Sequence, residues 1–259
     1  MQERSLLQPE VKSEYLQIVR DRKTISIVRG FAAPLLYLGV LVWNPLSALA
    51  PSGYNHSYVS ACFAISFAAV CVVVFAFATG LKIKVSPNQF NGSSWVVVLF
   101  FVGLTTSVVA IHTGYQPGSA ILLRVVVLSI LIGVAEEITF RGVLLESLSK
   151  PLGSGTALFI SSVIFGLGHF LNELNGQSFA STKIQAVSAT VGGLFFGWLY
   201  LKMGGGVWII AIAHAVYDAT IFIVSLTGVS LIDVVIFVIV VPVCVLLRFW
   251  IRRATRHQA

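Results

Sequence analysis

Charge is what this chain has least of. Only 10% of its 259 residues are Asp, Glu, Lys or Arg, against 57% hydrophobic. A soluble domain carries about a quarter charged residues, so the usual water-facing surface is excluded. Cysteine is scarce too: Cys62, Cys71 and Cys244 each sit in an apolar run without metal-ligand spacing. They read as buried small hydrophobes, and no disulfide framework is expected. No internal repeat or low-complexity tract is visible. The Gly204-Gly205-Gly206 turn lies between two apolar runs and lacks the strand–loop–helix context of a phosphate cradle. Lys and Arg are missing from the stretches 51–56, 115–118 and 226–232.

What remains is hydrocarbon. Apolar runs of about 20 residues, enough to cross a bilayer as a helix, recur at roughly 25–50, 57–79, 95–114, 119–149, 154–171, 183–203, 206–226 and 229–250. The expected fold is therefore all-α, a polytopic membrane protein of about eight transmembrane helices with any site inside the bundle. Residues 1–24 are expected to be a cytosolic segment, not a cleaved leader. With Leu6, Leu7, Val11, Tyr15, Leu16 and Ile18 among charges, it reads as an amphipathic interfacial helix, a flexible tail being the alternative. Residues 25–259 form the membrane domain.

The net charge of +7 is not a nucleic-acid footprint. Its basic residues collect before the first run, after alternate runs (Lys82, Lys84, Lys150, Lys202) and after the last (Arg248, Arg252, Arg253, Arg256). That positive-inside pattern predicts both termini in the cytosol. An integral protein of a prokaryotic plasma membrane, in contact with lipid, is expected.

Against this background the run Glu136-Glu137-Ile138-Thr139-Phe140-Arg141 stands out. Ionisable groups inside a membrane cost several kcal/mol by most scales and mark function by default. Glu137 and Arg141, four apart, should pair on one helix face. Glu136, rotated about 100°, is left to face the bundle centre and do chemistry. The fifth run carries Phe165 and His169 one turn apart, and the seventh carries His214 and Asp218 at the same spacing. That second spacing suits two metal ligands or a histidine oriented by a carboxylate. At about 1.5 Å rise per residue, the three helices bring these groups to similar depth. One shared pocket is the simplest reading.

A carboxylate and an imidazole flanking a water can hydrolyse an amide, with a second histidine or a protonated carboxyl supporting the oxyanion. Alternatively, Glu136, His169 and His214 are a zinc set with an open position for water. Hydrolysis is expected either way, since no acyl-transfer nucleophile, redox motif or nucleotide loop appears. The competing class is a proton- or cation-coupled transporter using the same groups as a relay. It usually shows repeated halves and helices broken near the midplane, which are not visible here.

The motifs Glu136-Glu137-x-x-x-Arg141, Phe165-x-x-x-His169 and His214-x-x-x-Asp218, with Phe140-Arg141-Gly142 inside the first, resemble the three motifs of the CPBP family. This family comprises the CAAX proteases and bacteriocin-processing enzymes, also called Abi. The resemblance covers about residues 119–225. It implies an intramembrane endopeptidase acting on a membrane-associated, lipidated or inserted peptide or protein. By that resemblance, Glu136 and His169 would activate the attacking water, while His214 and residue 218 would support the oxyanion. Whether zinc is used, or the enzyme is glutamate-type, is left open by the family. A catalytically silent bacteriocin-immunity or scaffold member is the remaining alternative. One position departs from the pattern: the eukaryotic prenyl-protein endopeptidase has Asn where this chain has Asp218. An ionised Asp cannot donate a hydrogen bond, so Asp218 must be protonated, bind metal or orient His214.

Overall fold

The computed structural model describes residues 9–50, 56–86 and 118–226. Helix α1 spans Pro9–Trp43 and α2 His56–Ala78. Helix α3, Ser119–Leu152, contains a π-helical stretch at Ile138–Leu145. Helix α4, Ser154–Gly168, gives way to 3-10 turns over His169–Asn175. Helices α5, Phe179–Met203, and α6, Val207–Leu226, complete the described bundle. Among the described residues there is no strand, and five helices are long and apolar enough to cross a membrane, with α6 a shorter sixth apolar helix. The chain is an all-α polytopic membrane protein. The expected spans at 95–114 and 229–250, together with Cys244, lie outside the described residues.

The packing is inverted relative to a soluble protein. On the first part of α3, up to Glu137, the buried positions are Ser129, Gly133, Ala135 and Glu137, whereas Leu122, Leu123, Val126, Val127 and Ile130 are exposed; the following stretch, Ile138–Leu145, is wholly buried. Helix α2 behaves alike: Ser60, Ala64, Ala68 and Ala76 face inward, Val70, Val74 and Phe77 outward. Lipid tails are as apolar as Leu, so nothing drives large aliphatics inward, and small residues let helices approach closely.

Two such approaches set the architecture. A Cβ at Gly133 would lie 2.7 Å from the Ala211 carbonyl oxygen, so α3 and α6 touch backbone to backbone. On α5, Gly193 meets Ser162 and Gly197 meets Leu158 of α4. The Gly-x-x-x-Gly pair, a packing device by its spacing, packs helices here. Helix α3 is the centre, touching α1, α2, α4 and α6.

One end of the bundle gathers the basic residues. There Lys84 pairs with Glu146 at 2.9 Å, Arg29 donates to the Thr79 carbonyl at 2.8 Å, and Gly206 donates its N–H to the Lys84 carbonyl at 3.0 Å. Residues 9–24 include the polar start of α1, which runs on into the first span without a break.

Candidate active site

The Gly133 contact has a direct consequence one turn further along α3. It holds Glu136 and Glu137 beside His214 of α6, near enough for side chains to bond across the two helices. Glu137 Oε1 accepts a hydrogen bond from Arg141 Nη1 at 2.7 Å, the pair expected from the four-residue spacing. The same oxygen lies 2.8 Å from His214 Nδ1, a contact that residue spacing does not reveal. Ionised Glu137 only accepts, so Nδ1 carries the proton and Nε2 is turned toward the other acids. All three side chains are almost fully buried.

Arg141 is further held by its Nη2 contact to the Gly193 carbonyl at 3.4 Å. Its guanidinium sits 4.6 Å from the centre of the Phe165 ring. Phe165 is the aromatic hub: its ring lies 5.0 Å from Phe140, 5.2 Å from His169 and 6.0 Å from His214. Phe196 stacks on the other side of His214 at 5.1 Å and 25°. The imidazole is thus fixed by one strong hydrogen bond and two rings, which leaves it a single orientation.

Two carboxylates flank the other ring nitrogen. His214 Nε2 lies 3.7 Å from Glu136 Oε2 and 3.5 Å from Asp218 Oδ1. Both separations are beyond an ordinary N–H···O bond, so these are loose electrostatic contacts. Three acids and one obligatory cation, Arg141, therefore crowd a nearly dry wall. Glu137 Oε2, also buried, has no hydrogen-bond partner among the described residues.

In front of this wall opens a cavity of about 220 Å³. Its polar lining is Glu136, His169, Tyr37 and Asn172, set among Phe140 and Phe165 and the aliphatic side chains of α1. The six residues singled out by sequence thus separate into layers. Glu136 and His169 line the cavity; Glu137, Arg141 and His214 stand behind it; Asp218 reaches the same His214 nitrogen as Glu136. His169 is not in mid-helix, as the apolar run suggests, because α4 ends at Gly168 and His169 opens the 3-10 turns. Tyr37 and Asn172 were not singled out by the sequence. Tyr37 belongs to a helix without a motif, and its one signal is a polar group in an otherwise aliphatic stretch.

Among the described residues, no group of three or more His, Cys, Asp or Glu side chains is arranged to hold a metal ion. His214 has Nδ1 bonded to Glu137, which leaves Nε2 as its other ring nitrogen, as in histidines that ligate metals. Zinc at Glu136, His169 and His214 stays a question for the chelator experiment below, and no step below is routed through a metal.

Comparison with curated proteins and with solved structures gives no match. A family model does match: residues 118–220 correspond to "Rce1-like", type II CAAX prenyl endopeptidase. The matched segment holds both acidic residues, Arg141, both histidines and Asp218. Such a family implies an endopeptidase in the membrane with a peptide or protein substrate there. Residues 118–220 of this integral membrane protein thus match an Rce1-like domain, consistent with the CPBP, or CAAX protease, family.

Proposed function

We propose that this chain cleaves a peptide bond of a membrane-associated, prenylated peptide or protein with a water activated by Glu136 and His169. The observation that carries the reading is that these two residues, from different helices, line one cavity. A carboxylate and an imidazole across a small polar space can hold a water between them and strip its proton as it attacks. Glu136 takes that proton while His169 orients the water by a hydrogen bond. The oxygen bonds to the scissile carbonyl carbon, whose π electrons move onto the carbonyl oxygen. Collapse of this intermediate breaks the C–N bond as protonated Glu136 passes its proton to the leaving nitrogen.

The buried layer behind supports this chemistry. Arg141 pairs with Glu137, Glu137 holds the proton of His214 on Nδ1, and Nε2 then faces Glu136. His214 is a positioning residue in this scheme, holding Glu136 in place and offering its proton a second resting point. Asp218 lies 3.5 Å from the same nitrogen and steadies it once Nε2 has received the proton, since an ionised acid only accepts. The basic end of the bundle faces the cytosol of a prokaryotic cell in this reading, in keeping with positive-inside sorting.

Purified protein in detergent, treated with chelator and checked for residual metal, should cleave a quenched-fluorescent prenylated CAAX peptide. Loss of a general base typically costs about 10²–10⁴-fold, so Glu136→Gln and His169→Gln should each fall by about that factor while melting normally. Parental rates in both folded variants would sink the reading. Activity that appears only when zinc is restored would replace it with the metalloprotease version.

A further inference from the structure

A peptidase needs more than a base: the negative charge that forms on the carbonyl oxygen must meet a donor already aimed at it. Of the residues so far assigned, His214 Nε2 and Asp218 donate only when they carry a proton. Arg141 is spent on Glu137 and the Gly193 carbonyl, and His214 Nδ1 is spent on Glu137. Neither residue lines the cavity. Asn172 does line it, with one of its two amide N–H donors bonded to Gln185 Oε1 at 2.9 Å, which ties it to α5. His169 and Glu136 are occupied with the water.

Tyr37 is a neutral donor on the cavity wall with no such tie. It comes from α1, is only 2% exposed, and lines the same cavity as Glu136 and His169. Its ring is fixed edge-on against Phe140, 6.2 Å between centres at 86°, and Phe140 packs in turn on Phe165. The helix that carries it is pressed onto α3: a Cβ at Gly30 would lie 2.9 Å from the Ser147 side chain. On either side of Tyr37, Ala33 and Val40 complete the buried stripe of α1. No hydrogen bond joins the Tyr37 hydroxyl to a described residue, although buried tyrosine hydroxyls usually find a partner. A phenylalanine would fill the same space equally well if packing were the only requirement.

We propose that the Tyr37 hydroxyl is the hydrogen-bond donor to the carbonyl oxygen of the scissile bond. This rests on the water-activation reading above. A neutral donor suits this site better than a cation, because Lys or Arg here would pair with Glu136 and quench it as a base. As the water attacks, the C=O π pair moves onto oxygen, and the oxyanion accepts the Tyr37 O–H without taking its proton. When the pair returns and the C–N bond breaks, the hydrogen bond relaxes to ground-state strength. The contact is therefore worth most at the transition state. It should appear in kcat more than in KM. Tyr37 lies outside the segment that matches the family model, residues 118–220, so the donor is contributed by a helix that carries no motif.

The test compares Tyr37→Phe with the parent on the quenched-fluorescent prenylated CAAX peptide, with melting temperature measured in parallel. Losing one oxyanion donor costs about 10²–10³-fold in kcat, with KM and melting temperature nearly unchanged. Incorporating 3-fluorotyrosine at position 37, which keeps the O–H, should retain most of the rate. A folded Tyr37→Phe enzyme within about threefold of the parental kcat, or one impaired in KM alone, overturns the assignment. Glu136→Gln in the same assay separates the two levels. If it is inactive while Tyr37→Phe is unimpaired, only the Tyr37 role fails; if Glu136→Gln is fully active, the underlying reading fails with it.

Discussion

At the scale of single residues, Glu137 carries the most consequence. Its one oxygen binds both Arg141 and His214 in a nearly dry wall. Breaking a buried ion pair by removing one partner costs about 3–5 kcal/mol, because the other charge is stranded. Glu137→Gln should lower the melting temperature sharply and abolish cleavage. Adding Arg141→Met removes the stranded cation, so the double variant should recover much of the stability. It should not recover the rate, because His214 still lacks the carboxylate that fixes its proton. Recovery of both together, read by melting and by kcat, would make Glu137 merely an anchor for Arg141. The Glu137–Arg141 spacing was legible in the chain, since helix geometry places residues four apart together. The Glu137–His214 bond was not, because it joins residues 77 apart in sequence and depends on how closely two helices approach.

At the scale of elements, that approach is governed by Gly133. Because a Cβ there would press on the Ala211 carbonyl and Ala215 nitrogen, Gly133→Ala must push α3 from α6. Overpacking costs typically about 1–3 kcal/mol, which a membrane bundle can absorb. The 2.8 Å Glu137–His214 bond is less tolerant. Gly133→Ala should therefore fold, melt somewhat lower and lose most of its kcat, whereas Gly155→Ala, with open space around it, should change neither. Equal rates in the two variants would show that the α3–α6 distance does not govern the site. Apolar runs told where most helices lie, because a stretch that long has few alternatives in a bilayer. They were silent on the π-helical stretch that starts just after Glu137 and on the end of α4 at Gly168. Both depend on local hydrogen-bond choices that hydropathy does not record. Such π turns recur at functional sites, and this one buries all eight of its residues.

At the scale of the molecule, the ends of the bundle differ in charge. Lys84, Glu146 and the start of α6 meet at one end, and Lys150 and Lys202 lie near the same ends of their helices. Single cysteines replacing Lys150 and Lys202 in a cysteine-free background should be modified from the same side of sealed vesicles. A cysteine at Ser178, beyond α4, should be modified only from the other. Labelling of all three from one side would contradict α4 as a crossing helix. Composition and run length made the all-helical membrane class legible, because an apolar run of about 20 residues has the length of a membrane-crossing helix and is twice that of a barrel strand. The layering of the site was less legible. Sequence spacing put six residues at one depth without saying which of them face the cavity, and it passed over Tyr37 because α1 carries no motif.

The claim beneath these readings is that a water molecule, not Glu136 itself, attacks the scissile carbonyl. A single turnover in H₂¹⁸O, with excess enzyme over prenylated CAAX peptide and mass analysis of both product and protein, tests it directly. Water activation places one ¹⁸O in the new carboxyl terminus and none in Glu136. Unlabelled first-turnover product together with ¹⁸O in the Glu136 carboxyl would mean covalent attack by the glutamate and would contradict it.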